Sequence, residues 1–147
     1  MAGRLELAVT KQCDRVVSDN VDGYQNDPGF PVTAADQLEF NRFLATAAHS
    51  RGLAVGLKND LDQIAKLVGD FDFAVNEQCH EFSECDQLQP FIAAGKPVFN
   101  AEYEASFVND TGGARTTMCA ASLAQGLRSL VLPVDLDDRF RHSCDFP

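Results

Sequence analysis

One alternation constrains this chain more than any other feature. A helical stretch ends at glycine, a short apolar run follows, and the run ends in charged or amide side chains. Thr33 followed by Asp36 makes a capping-box-like start for a helix over residues 34–51. Leu38, Phe43, Leu44, Ala47 and Ala48 give that helix an apolar face, and Gly52 stops it. The run 53–57 then leads into Lys58, Asn59 and Asp60. The pattern returns with Leu61, Ile64, Leu67 and Val68 ahead of Gly69, followed by the run 71–75 and then Asn76, Glu77 and Gln78. It returns again with Leu88, Phe91 and Ile92 ahead of Gly95, the run 97–101, and Glu102 with Tyr103. A last helix over 116–125 stops at Gly126 and feeds a run at 130–132. At the other end, an amphipathic start with Leu5, Ala8 and Val9 on one face feeds the run 15–17, which ends in Asp19, Asn20 and Asp22.

Strands that alternate with helices predict a parallel sheet, because parallel pairing needs a crossover. The fold class read from this order is α/β, built of parallel (β/α) units. In a parallel barrel the loops at the C-terminal strand ends build the active site. Here the polar clusters all fall at those ends. Asp60 is expected to cap the next helix and Asp22 to serve a turn before Gly23. Glu77, Glu102 and Lys58 are harder to explain as structure, since Glu is a poor cap and a poor turn former. Paired carboxylates across a pocket suit glycoside hydrolysis, with Asn, Lys and Tyr groups to hold sugar hydroxyls. The same composition would also suit other barrel enzymes.

Charge and cysteine content narrow the partners. The formal net charge of -10 argues against nucleic acid and anionic membrane surfaces, and it suits a cationic partner. No apolar run is long enough to span a bilayer, and the N-terminus has no signal-peptide pattern. There are five cysteines. Cys79 and Cys85 can close a small loop, Cys119 and Cys144 flank the last helix and strand, and Cys13 is left over. The alternative is five reduced thiols, some of them buried. Cys79, His80, Glu81 and Cys85 also raise a metal-dependent hydrolase, but nothing completes a four-ligand zinc set, so neither a metal nor a cofactor is expected. His49 reads as structural, near its helix-ending glycine.

Several segments together resemble a known family. These are D-N-V-D-G-Y at 19–24, G-F at 29–30, H-S-R-G-L-A-V-G-L-K-N-D at 49–60, F-D-F-A-V-N-E-Q-C at 71–79, E-C at 84–85, and G-K-P-V-F at 95–99 with Glu102 and Tyr103. In order, and over residues 5–107, they are similar to glycoside hydrolase family 114, the endo-α-1,4-polygalactosaminidases and related barrel proteins. The resemblance implies a (β/α)8 TIM barrel and cleavage of α-1,4-linked galactosamine polymers, which are cationic. It places the catalytic pair on Asp19, as nucleophile or base, and Glu77, as general acid. It implies sugar subsites lined by Asn20, Asp22, Tyr24, Lys58, Asn59, Asn76, Glu102 and Tyr103. It also implies a disulfide between Cys79 and Cys85, and secretion.

Length departs from that pattern. A complete barrel of this type takes about 250 residues, and this chain has 147 with about five strands. The expectation is a single partial barrel domain over residues 1–147 that lacks the family's first strands. Two consequences are expected. Exposed sheet edges invite self-association. An inactive fragment, or a paralogue that binds a sugar or a partner without catalysis, is the alternative to a working hydrolase.

Overall fold

In the computed structural model, which describes residues 2–19 and 21–145, the chain forms two compact units, Met1–Val75 and Asn76–Pro147. The first unit opens with α1 (Ala2–Thr10), which buries Leu5. Strand β1 (Arg15–Ser18) follows, then α2 (Ala34–His49). The expected capping box is present: Asp36 N donates to Thr33 Oγ1 at 3.1 Å, and Thr33 N donates to Asp36 Oδ2 at 2.9 Å. The Thr33 hydroxyl, which donates to Asp36 Oδ2 at 2.6 Å, and after it Thr33 N hold the Asp36 carboxyl below the usual range. At the other end Gly52 takes φ 73°, the left-handed conformation that ends a helix.

The buried face of α2 keeps Leu44 and Ala48 from the apolar pattern but departs from that pattern at Phe43. It consists of Gln37, Asn41, Leu44, Ala45 and Ala48, while Phe43 is 57 % exposed and stacks beside exposed Phe40. The helix is rotated toward its amides because they find partners inside. Gln37 Nε2 donates to Asn41 Oδ1 at 2.9 Å, and Asn41 Nδ2 donates to Val21 O at 2.9 Å and to Asp60 Oδ2 at 2.8 Å. A buried amide that makes its bonds is tolerated where an unmatched one is not.

Strand β2 (Ala54–Lys58) pairs in parallel with β1, Arg15 opposite Ala54 through Ser18 opposite Leu57. A short 3-10 turn at Leu61–Gln63 leads into the single helical turn α3 (Ile64–Leu67). Strand β3 (Phe73–Glu77) pairs in parallel with β2, Gly56 opposite Phe73 through Lys58 opposite Val75. Gly56 is required here: a Cβ would lie 2.4 Å from the Phe73 ring. His49 is structural, as expected. Its Nε2 lies 2.9 Å from Asp72 Oδ2, which also accepts from Val55 N at 2.8 Å, so it ties the end of α2 to the approach to β3.

The second unit takes over within β3. It holds α4 (Gln89–Ala93), β4 (Val98–Glu102), α5 (Ala105–Val108), α6 (Ala114–Ala124), β5 (Arg128–Val131) and β6 (His142–Ser143). Strands β4 and β5 are parallel, Phe99 opposite Arg128 through Glu102 opposite Val131. Strand β6 runs antiparallel to β5, and it makes six strands among the described residues where the sequence suggested five. The Cys119–Cys144 disulfide fastens α6 to the residue after β6. Met118, Cys119, Val131 and Cys144 pack there, with Phe107, Val108 and Phe140 around them. Among the described residues no helix is long and apolar enough to cross a membrane.

Candidate active site

The strands end later than the apolar runs do. Pairing continues through Lys58 in β2, Glu77 in β3 and Glu102 in β4, so each of these side chains is the last residue of a strand. After β2 and β3 the chain enters an uncommon backbone. Asn59 and Asp60 take φ 52° and 49°, and Gln78 takes φ 64°, all left-handed for non-glycine residues. Asn59 N donates to Val75 O at 2.9 Å and Gln78 N to Ala101 O at 2.7 Å, which hold the two bends.

In the first unit Lys58 Nζ donates to Asp19 Oδ1 at 3.0 Å, with the lysine side chain mostly buried and the aspartate side chain 70 % exposed. Asp22 precedes a 3-10 turn at Gly23–Gln25 that carries Tyr24, and Tyr24 and Asn59 are both half-buried. Asn20 lies outside the described residues. Asp60 does not cap a helix, contrary to expectation: it makes no capping bond, is 1 % exposed, and takes the Asn41 amide instead. Burial, and after it the charge of Asp22, pushes its carboxyl up to about 7, while the Tyr24 phenol and Asn41 amide pull it back and Asp62 adds a smaller push. Burial also raises the Tyr24 phenol.

In the second unit Tyr103 Oη donates to Glu77 Oε1 at 2.7 Å. Asn76 is 1 % exposed. Glu102 is fully buried, and its carboxylate is engaged from inside the protein. Oε1 accepts from Asn100 Nδ2 at 2.9 Å and from His80 N at 2.8 Å, and Oε2 takes a longer contact from Glu81 N at 3.4 Å. Burial raises the Glu102 carboxyl, and these three donors oppose the rise.

The two expected bridges, Cys79–Cys85 and Cys119–Cys144, are both present, and Cys13 is free and exposed. Ligand atoms of Cys79, His80 and Cys85 lie within 4.8 Å of one another. That grouping does not fit a metal, because the two sulfurs are bonded to each other and neither is a thiolate. Burial lowers the His80 imidazole.

The chain matches a protein family and solved structures. The family model for glycoside-hydrolase family GH114 matches residues 1–146. The chain belongs to that family. A crystal structure of Ega3 from Aspergillus fumigatus in complex with galactosamine is 38% identical, with a TM-score of 0.87 over 98% of this chain and 59% of that one. The glycoside hydrolase domain of PelA from Pseudomonas aeruginosa is 16% identical, with a TM-score of 0.62 over 94% of this chain and 60% of that one, and it shares the fold. This GH114 chain thus has the α/β architecture of part of a TIM barrel and spans about three fifths of the structures it matches. No curated protein matches it.

Residues that sequence reasoning did not select are Asn41, Asn100, Ser122 and Ser129. Each is a polar side chain on an otherwise buried face. A buried amide at a helix position facing strand ends was the only signal available for Asn41.

Proposed function

We propose that the chain is the part of a glycoside hydrolase that carries its two working carboxylates, and that its substrate is an α-1,4-linked, galactosamine-type polysaccharide. The observation that carries this reading is the 38% identity, over 98% of the chain, to a protein whose structure holds galactosamine. Glu77 acts as the general acid, and Tyr103 holds its carboxylate by the 2.7 Å hydrogen bond. Asp19 acts as nucleophile or base, and Lys58 orients it. Asn20, Asp22, Tyr24 and Asn59 contact the sugar. In the second unit Asn76 and Glu102, both buried, are the further candidate subsite residues. The net charge of -10 favours a cationic polymer. The two disulfides suit an oxidising, extracellular setting.

The test is release of soluble sugar from galactosamine polymer. D19N and E77Q are each expected to abolish release with unchanged thermal melting. Activity retained in either variant removes that residue from the pair. A second reading is sugar binding without catalysis. It is marked by polymer binding in wild type with no release. The exposed Val17 of β1, at 44 %, supports self-association through that strand, and light scattering measures it.

A further inference from the structure

Residues 101, 102 and 103 act as one grip on the segment that bears Glu77. Ala101 O accepts from Gln78 N at 2.7 Å, Glu102 accepts from the backbone of His80 and Glu81, and Tyr103 Oη donates to Glu77 itself. Glu102 is fully buried. Behind it runs a line of buried polar groups. Asn100 Nδ2 bridges Glu102 Oε1 at 2.9 Å and Ser129 Oγ at 3.3 Å, and Ser129 Oγ lies 2.6 Å from Ser122 Oγ of α6. Asn100, Ser129 and Ser122 are 3 %, 1 % and 0 % exposed. Four buried polar side chains in series are costly unless every link is made. A leucine at Glu102 would fill the volume and leave the two N–H groups without acceptors, so the acid is explained by what it holds.

We infer that Glu102 is a positioning residue for Glu77: its carboxylate, braced from α6 through Ser129 and Asn100, fixes the turn at His80 and Glu81 and sets where Tyr103 meets Glu77. This rests on Glu77 as the working acid, but its geometry is independent of which polymer is cleaved. Aspartate at this place keeps the charge and shortens the reach by one methylene, so it cannot hold Asn100 and the turn together. The Tyr103 bond favours the ionised form of Glu77. Loosening it therefore raises the pKa of Glu77.

The experiment is NMR titration of Glu77, with amide exchange at His80 and Glu81, in wild type, E102D, S129A and Y103F. Y103F calibrates the direct loss and is expected to raise the Glu77 midpoint. E102D is expected to raise it in the same direction by a smaller amount, and to speed exchange at both amides about tenfold, the equivalent of one hydrogen bond. S129A, two links further out, is expected to give a smaller shift of the same sign, and it decides the matter if E102D does not fold. A Glu77 titration in E102D, or in S129A in that case, that superimposes on wild type while Y103F shifts overturns the inference. These readouts need no turnover. Loss of sugar release in wild type would defeat the proposed activity and leave this result standing.

Discussion

Asp60, two residues past the end of β2, and Glu102, the last residue of β4, are both buried carboxyl groups, one in each unit, yet they are held in different ways. Asp60 is met by side chains: the Asn41 amide at 2.8 Å and the Tyr24 phenol, with Asp22 and Asp62 adding negative charge nearby. Glu102 is met by two backbone N–H groups and the Asn100 amide. Backbone donors belong to a turn that cannot swing away, and they favour the carboxylate. A carboxyl among other acids is pushed the other way. Burial raises both carboxyls, Asp60 to about 7 with nearby acids adding to the rise, whereas in Glu102 the three donors oppose it.

The largest expected effect comes from Asp60. Its carboxyl stands at about 7 in the folded chain against an ordinary 3.8. The folded form therefore holds a proton that the unfolded form has released between those two values. Stability from this group is present in full below about pH 4 and is lost as pH rises to about 7, by roughly 3–4 kcal/mol in total. D60N removes the titration. The difference in unfolding free energy between wild type and D60N is expected to slope steeply across pH 4–7 and level off above it. Parallel curves for the two proteins would place Asp60 with ordinary carboxylates and erase the contrast with Glu102.

Next is E102A. It leaves two N–H groups and an amide without an acceptor in a dry place, at a cost of about 3 kcal/mol. Urea unfolding at pH 7 measures it. A loss below about 1 kcal/mol would mean that water replaces the carboxylate, and the backbone-held description would fail. N41A should cost less, about 2 kcal/mol, since it frees Val21 O and Asp60 together but lets Asp60 stay protonated. That loss is expected to grow above pH 7, where an unpaired carboxylate must remain buried. A pH-independent loss would detach Asn41 from Asp60.

The contrast also shows what a sequence can and cannot reveal. Periodicity located every helix–strand unit, because apolar runs bounded by Gly52, Gly95 and Gly126 are local signals. It misplaced the strand ends by one or two residues. Pairing in β3 continues through Asn76 and Glu77 on backbone bonds that no hydrophobic pattern records. On α2 it placed Leu44 and Ala48 correctly but took Phe43 for core and passed over Asn41, whose partners at Val21 and Asp60 lie 20 and 19 residues away. β6 is two residues, His142 and Ser143, held by pairing to β5 beside a disulfide, and it has no pattern of its own. At the candidate site, motifs marked Asp19, Glu77, Lys58 and Tyr103. The bracing by Asn100, Ser129 and Ser122 was hidden, because asparagine and serine in short strands, and serine on a helix, look like surface.

The smallest effect tests whether donor type or burial sets the size of these losses. Asp72 Oδ2 accepts from a backbone N–H, Val55 N at 2.8 Å, just as Glu102 accepts from His80 N, and it also meets His49 Nε2 at 2.9 Å. The Asp72 side chain is 44 % exposed, however, whereas Glu102 has no exposed surface. The asparagine carbonyl can still accept from Val55 N, and an exposed pair with histidine contributes little. D72N is therefore expected to cost less than about 1 kcal/mol in urea unfolding. A loss as large as that of E102A would show that a backbone-held carboxylate is costly to remove wherever it sits. Glu102 would then owe its effect to its donors alone, and the buried line back to Ser122 would add nothing to its hold on the turn.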